Sequence, residues 1–223
     1  MGCDEATVLL LQNRLFLYEL LFRVFASEPD DGLLGALRDD HVASECALLD
    51  DDDCARGAEV GRQLVDAARA TALEELRGQY TRNFIGPASL PVPPWESVFV
   101  ERKPVLFQRN TLAVRAAYRD AGFKAAGYPH EADDHLGTEL SFMAALARQT
   151  LGAAEEGDSE RFGLLVQVQR SFLVEHLLVW VDEYAQRLTD ELGTHSVYGA
   201  ASRMAALACR RDSDLLGELA ALG

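Results

Sequence analysis

Carboxylates and imidazoles are concentrated in one short segment of the sequence. The segment reads Pro129-His130-Glu131-Ala132-Asp133-Asp134-His135, and Glu139 follows one helical turn beyond His135. Side chains of these types can ligate a metal ion or act as general acid and base. A di-iron bundle needs two Glu-x-x-His motifs on facing helices, and the sequence has none. We therefore expect no metal here. The simplest interpretation is that Asp133 or Asp134 caps the next helix, which leaves the neighbouring side chains able to bind a ligand.

The sequence lacks the motifs that bind phosphates or activate nucleophiles. It has no Gly-x-x-x-x-Gly-Lys loop, no Gly-x-Gly-x-x-Gly fingerprint, no Gly-x-Ser-x-Gly elbow and no His-Glu-x-x-His helix. The four cysteines form no Cys-x-x-Cys pair and have no zinc-ligand spacing; they are Cys3, Cys46, Cys54 and Cys209. We therefore expect free thiols, no cofactor and no enzymatic activity.

The chain is strongly acidic. Its formal net charge is −15 over 223 residues, with an ordinary hydrophobic content of 48%. Such a charge repels nucleic acid and anionic lipid, and it favours a basic peptide as ligand. An acidic surface is equally typical of proteins from a saline cytoplasm. Composition therefore argues against nucleic-acid partners and leaves two explanations of the charge open.

Hydrophobic residues recur at helical spacing over most of the chain. The pattern from Val8 to Phe25 predicts a helix buried on most sides. Further helices are predicted within Ala55–Phe84 and over Thr111–Ala121, where Gly122 ends the helix. Leu173 to Leu188 predict one long helix, and a last helix is expected from about Ser196 onward.

The segments between these helices have a different composition. Residues 29–53 are acidic and predict loops around short helices, with Asp30-Asp31-Gly32 as one loop. Residues 86–94 hold four of the seven prolines and can sustain neither a helix nor a central strand. Only Val98–Val100 and Val105–Phe107 look strand-like, and two short strands do not form a stable sheet. We therefore predict an all-α fold, a helical bundle forming a single domain over residues 1–223.

One histidine lies within the last apolar pattern. His176 shares a helix face with Phe172 and Trp180. A hydrogen-bonded core histidine is a more frequent outcome at such a position than a metal ligand. We therefore expect His176 and Trp180 to be buried.

Four short motifs occur in order along the chain. They are Tyr80-x-x-x-Phe84-x-Gly86-Pro87, Pro94-Trp95-Glu96-Ser97-Val98, Asp133-Asp134-His135-Leu136-Gly137-x-Glu139-Leu140-x-Phe142-Met143 and Phe172-Leu173-x-x-His176-Leu177-x-x-Trp180. In order and approximate spacing they resemble the TorD/DmsD/NarJ family of redox-enzyme maturation chaperones, and most of all its TorD/DmsD branch. The resemblance covers roughly Tyr80 to Tyr184. Before Tyr80 the agreement is limited to helical character.

The resemblance implies a TorD-like helical fold and a cytoplasmic chaperone. Such a chaperone binds the twin-arginine signal peptide and the immature form of a molybdopterin oxidoreductase, assists cofactor insertion and delays export. We expect a monomer or a helix-swapped dimer without stable membrane anchoring. No twin arginine lies near Met1, so we also expect that the protein itself is not exported by that route.

The resemblance also implies peptide-binding residues. The family's peptide-binding residues correspond most directly to Asp134 and His135, in the Asp-Asp-His motif, and to the aromatic neighbourhood of Tyr80 and Phe84. The remaining candidates lie in the same motifs or beside them; they are Glu131, Asp133, Trp95, Glu96 and Ser97. Glu96 and Ser97 match a family motif that is expected to hold the loop rather than to touch the ligand. The family usually has Glu-Pro before Asp-Asp-His, whereas this chain has Glu131-Ala132, so the shape of this loop is expected to differ.

Two alternatives remain open from the sequence. One is a NarJ-like assembly chaperone for a molybdoenzyme that is not exported. The other is a hydrolase that uses Glu131, Asp134 and His135, or a nucleotide hydrolase, since guanine-nucleotide binding is associated with some family members.

Overall fold

A computed structural model describes residues 5–50, 56–85, 90–103, 108–125 and 132–221. Within these ranges the regular elements are helices, and the extended pairing is a single antiparallel bridge between Trp95 and His135. The all-α prediction is therefore confirmed. The α-helices are α1 (Glu5–Ala26), α2 (Asp31–Leu37), α3 (Asp40–Ala47), α4 (Arg56–Ala70), α5 (Leu73–Tyr80), α6 (Glu96–Val100), α7 (Arg109–Asp120), α8 (Leu136–Glu156), α9 (Ser159–Glu175), α10 (Val181–Leu192) and α11 (Val197–Ala221).

The long helices share one hydrophobic core. α1 packs along α8, α9 packs on α8 and α11, and α10 packs on α11. α4 packs against both α3 and α11. The predicted helices over Val8–Phe25, over Thr111–Ala121 and from Ser196 onward correspond to α1, α7 and α11. Gly122 follows α7 with a φ of 71°, a left-handed conformation that suits glycine.

The prediction of one long C-terminal helix is wrong, because the helix is interrupted at His176. α9 ends at Glu175, a single 3₁₀ turn covers Leu177–Val179, and α10 begins at Val181. His176 leaves the helical region with φ −123° and ψ −80°. The break allows His176 and Trp180 to reach different buried carboxylates. Both side chains are buried, at 6% and 1% exposure, as predicted.

Two shorter predictions also need correction. The predicted loop at Asp30-Asp31-Gly32 is the start of α2, because the Asp30 carboxylate accepts a hydrogen bond from the Leu33 N–H at 2.6 Å. Val98–Val100 belong to α6 rather than to a strand. The other strand-like segment, Val105–Phe107, lies outside the described residues, as do Cys3 and Cys54.

The helical stretch Ser159–Val179 is long and apolar enough to cross a membrane by length and composition. Core helices of soluble proteins pass the same test; of the 18-residue window that meets it, 33% is buried in the fold.

Candidate functional site

Two loop segments are paired where α6 and α8 begin. The Glu96 N–H donates to the Asp134 carbonyl at 2.9 Å, and the Leu136 N–H donates to the Pro94 carbonyl at 2.9 Å. These bonds form the Trp95–His135 bridge. Two helix N-termini are thereby held side by side. We call the residues Pro94–Ser97 and Asp133–Leu136 the corner.

Asp134 caps a helix that is distant in sequence. Its Oδ2 accepts a hydrogen bond from the Ser97 N–H at 2.9 Å, at the start of α6, where Trp95 itself makes no side-chain cap bond. The Asp134 side chain is completely buried. The prediction that Asp133 or Asp134 caps the next helix is therefore wrong, because Asp134 serves α6 and His135 serves α8.

His135 is held in one tautomer by its cap bond. Its Nδ1 accepts a hydrogen bond from the Gly137 N–H at 3.0 Å, so the proton of the neutral ring is on Nε2. Burial lowers the pKa of His135 to about 4, although the nearby Asp134 charge acts in the opposite direction. The ring lies edge-on to Trp95, with 5.4 Å between the ring centroids, and both side chains are partly exposed. At neutral pH the corner therefore presents an indole and an uncharged imidazole.

Asp133 attaches α7 to the corner. Its Oδ2 accepts a hydrogen bond from Arg115 Nε at 2.6 Å, and its carbonyl accepts one from the Tyr118 hydroxyl at 3.1 Å. Asp133 is buried, at 3% exposure. Its carboxylate is thus engaged within the protein.

Glu96 lies beneath the corner and is completely buried. Asn110 Nδ2 donates to Glu96 Oε1 at 2.7 Å, and His176 Nδ1 lies 3.1 Å from Oε2. Ser97 is also completely buried. The Glu96 carboxyl therefore links α6 to α7 and to the break between α9 and α10.

A second buried carboxyl, Glu139, lies near Glu96. Trp180 Nε1 donates to Glu139 Oε2 at 3.2 Å. Burial raises the pKa of Glu139 well above its ordinary value, and the charges of Glu96 and Asp134 raise it further. Glu139 is therefore protonated over a wider pH range than an exposed glutamate.

Tyr80 and Phe84 belong to the aromatic core rather than to an open groove. Their rings stack at 5.2 Å, Phe84 lies 5.0 Å from Tyr198, and both side chains are largely buried. The Phe84 ring contacts Phe25, and the Phe25 ring contacts Tyr184. The Tyr184 ring in turn contacts Trp180, which lies beside Glu139. A row of rings thus connects the Tyr80–Phe84 pair to the carboxyls beneath the corner.

The structure brings six of the nine predicted site residues together. They are Trp95, Glu96, Ser97, Asp133, Asp134 and His135. Tyr80 and Phe84 join them only through other rings, and Glu131 lies outside the described residues. Whether any of the nine contacts a peptide stays a prediction.

Sequence reasoning missed the residues that support the corner. Asn110 and Arg115 are polar residues of α7, and no motif distinguished them. Gly137 was quoted in a motif without a role. A Cβ atom there would lie 2.7 Å from the Ala26 Cβ and 2.9 Å from the Ala26 nitrogen, so α8 approaches the end of α1 too closely for a side chain. A glycine in the first turn of an otherwise apolar helix was the available signal.

The geometry favours binding over catalysis. Asp134 is completely buried and holds a main-chain N–H, and Nδ1 of His135 is already used by the cap bond. A general base needs access to a substrate proton. Among the described residues, no group of three or more potential ligands is placed to hold a metal ion.

Comparison with known proteins identifies the family. The sequence model of the family described as nitrate reductase delta subunit matches residues 50–186. The chain belongs to this family. This match confirms the resemblance to the TorD/DmsD/NarJ chaperones.

Curated relatives of this family member carry chaperone names. The Tat proofreading chaperone DmsD of Salmonella typhimurium is 32% identical over 164 residues, covering 72% of this chain and 73% of the relative. The chaperone protein TorD of Vibrio cholerae is 30% identical over 131 residues, covering 56% and 55%. The chlorate reductase assembly chaperone protein of Ideonella dechloratans is 41% identical over 70 residues, covering 31% and 35%. These names support a chaperone rather than an enzyme.

Proposed function

We propose that the protein is a cytoplasmic chaperone that binds the twin-arginine signal peptide and the immature form of a molybdopterin oxidoreductase, assisting cofactor insertion and delaying export. The observation that carries the proposal is the corner, where a partly exposed Trp95–His135 pair sits on two rigid helix starts. The names of the relatives, a Tat proofreading chaperone and a reductase assembly chaperone, support the same role.

In this proposal the corner residues divide into contacts and supports. The Trp95 ring offers apolar area to the hydrophobic part of a leader, and the Nε2–H of His135 donates to a peptide carbonyl. Asp133, Asp134 and Glu96 position these two side chains, because their carboxyls are buried and engaged. The net charge of −15 attracts the basic part of the leader.

Titration of a synthetic leader, taken from the oxidoreductase encoded beside the gene, tests the proposal. We expect Trp95→Ala to weaken binding by about 2 kcal/mol or more, as truncation of an aromatic hot spot does. His135→Asn keeps an N-cap acceptor but loses the ring N–H, and about 1 kcal/mol of binding should be lost. His195→Asn, at an exposed histidine outside the corner, is the matched control.

Isothermal titration calorimetry measures these affinities, and circular dichroism verifies that each variant is folded. Equal affinities for parent, Trp95→Ala and His135→Asn would remove the corner from the binding site. If the parent bound no leader of any neighbouring oxidoreductase, the proposal for exported clients would be rejected.

The assembly role named for the chlorate reductase relative is compatible with a second candidate, a NarJ-like assembly chaperone for a molybdoenzyme that is not exported. Under that alternative the protein binds the body of the client equally well with and without its leader. A pull-down with the two forms of the client distinguishes the two functions.

A further inference from the structure

A cavity of about 300 Å³ opens between α1, the residues that follow α3, and α11. It shares no lining residue with the corner. Its lining is part apolar and part polar, and the larger apolar residues in it are Leu10, Leu17, Leu48, Leu49 and Leu215. Leu48 is 42% exposed, so apolar surface continues outward from the cavity.

The floor of the cavity is a buried ion pair. Arg14 Nε and Nη2 both donate to the carboxylate of Asp212, and Nη2 also donates to Gln169 Oε1 at 2.7 Å. The Tyr18 hydroxyl donates to Asp212 Oδ2 at 2.6 Å. The side chains of Arg14 and Asp212 are each 4% exposed. The two charges of this floor neutralise each other.

One donor of this ion pair is left over. Among the described residues, Arg14 Nη1 is buried without a hydrogen-bond partner. An unpaired buried donor costs free energy. Since Asp212 already neutralises the guanidinium, the floor presents no net charge to the cavity.

The charges around the cavity exclude an anion. Four acidic residues line it, Asp50, Asp212, Asp214 and Glu218, against two basic ones, Arg14 and Arg211, which leaves a formal charge of −2. The Asp50 carboxylate accepts hydrogen bonds from the N–H groups that start α4. Glu218 is exposed at the rim. A guanidinium or ammonium group is therefore attracted to this rim.

We propose that this cavity is a second peptide-binding site, which takes an apolar side chain of a client segment next to a lysine or arginine. The apolar side chain fills the space beside the leucines, and the cation meets Glu218. A volume at the lower end of ligand pockets suits side chains rather than a cofactor. The inference rests on the proposed function, because the segment belongs to the client. Two separate sites on one chaperone would bind one client more tightly than either site alone.

Photocrosslinking with a defined probe tests the second site. The probe is a fluorescent 12-residue peptide with an arginine pair, a leucine-rich segment and one benzoylphenylalanine within that segment. The test variant combines Leu48→Gln with Glu218→Lys, two exposed positions at the mouth. The control variant combines Leu164→Gln, at a leucine of α9 that is 64% exposed, with Glu191→Lys at the exposed end of α10.

We expect crosslinks to residues of α1, α11 or the end of α3 in the parent and in the control variant. The test variant should lose them, and its affinity in fluorescence anisotropy should fall about tenfold, from one lost apolar contact and one reversed charge. If the probe crosslinks to the cavity but the protein binds no native leader, the cavity is still a peptide-binding site and the proposed function is rejected.

Three results would overturn the inference. Crosslinks confined to the neighbourhood of Trp95, with unchanged affinity in the test variant, would leave only the corner as a binding site. A concentration-dependent dimer that the test variant abolishes, with peptide binding intact, would assign the cavity to a second copy of the chain. Absence of probe binding to any variant would remove both peptide sites.

Discussion

Asp134 is a capping residue that accepts a hydrogen bond from the N–H of Ser97, 37 positions earlier in the chain. We expect Asp134→Ala to lower the free energy of unfolding by about 1–2 kcal/mol, the usual cost of losing an N-cap acceptor. Asp134→Asn keeps an oxygen for the Ser97 N–H and should retain most of the stability. Urea denaturation of the three proteins measures the difference. A parental midpoint for Asp134→Ala would contradict the capping role.

Glu139 makes stability depend on pH. The pKa of Glu139 is raised in the folded protein. Its contribution to the free energy of unfolding is therefore fully present below the pKa of the unfolded chain, about 4.5, and is lost as the pH rises through the pKa of the folded protein. Glu139→Gln keeps an acceptor for Trp180 Nε1 but cannot ionise. We expect the variant to be less sensitive than the parent to a rise from pH 5 to pH 9, as measured by urea unfolding.

His135 gives the opposite slope at lower pH. Its pKa is lowered to about 4 in the folded protein. The contribution of His135 to the free energy of unfolding is therefore present above about pH 6.5, and it is lost as the pH falls from there towards 4. Measurements of Glu139→Gln above pH 7 are therefore free of the His135 effect. If the free energy of unfolding changes with pH in the same way for the parent and for Glu139→Gln above pH 7, Glu139 does not cause the loss of stability at alkaline pH.

The sequence predicted the buried residues of the site better than their partners. His176 was expected in the core because it shares an apolar face with Trp180, and both are buried. The carboxyls that meet them, Glu96 and Glu139, lie on α6 and α8, and such pairing depends on helix packing rather than on spacing along the chain. For the same reason a cap for α6 supplied by Asp134 could not be predicted.

At the scale of the elements, the start of α8 is fixed by its approach to α1. Gly137→Ala should destabilise the protein, because the new Cβ would meet the backbone nitrogen of Ala26 at 2.9 Å and force the helices apart. Gly152 provides a matched control in the same helix, since nothing lies within 4 Å of a Cβ there. Gly152→Ala should be neutral or stabilising by up to about 1 kcal/mol.

Thermal unfolding of these two variants decides the point. An unchanged melting temperature for Gly137→Ala would mean that α1 and α8 can separate without cost. Equal losses in both variants would point to helix propensity rather than to the close approach.

Helix existence was easier to predict than helix continuity. Apolar periodicity located α1, α7 and α11, because each buries a continuous face. The same periodicity from Leu173 to Leu188 predicted one helix, although the helix is interrupted at His176. Periodicity does not detect a break that preserves the buried face, and here hydrogen bonds to Glu96 and Glu139 accompany the break.

At the scale of the whole molecule, the net charge of −15 should act on binding. Raising the salt concentration from 0.05 to 0.5 M screens exposed charges, so we expect the affinity for an arginine-containing leader to fall about threefold to tenfold. A leader with glutamines in place of its arginine pair should bind more weakly at low salt and change little. Titration calorimetry at both concentrations provides the comparison. Equal salt dependence of the two leaders would mean that the charge serves solubility alone.

The predicted organisation as one domain over residues 1–223 stays a prediction. A single cooperative transition with coincident probes would support it. Two separate transitions would argue for independent units.

The two tryptophans of the chain differ in their surroundings, and this difference gives the protein an intrinsic optical reporter. Trp180 is enclosed among aromatic rings, with its indole N–H bonded to Glu139, whereas Trp95 is partly exposed beside His135. Emission from Trp180 should therefore be blue-shifted and insensitive to quenchers in water, while emission from Trp95 should respond to them. The fluorescence of Trp95 can thus signal the arrival of a peptide at the corner without any label, and the signal from Trp180 serves as the internal reference.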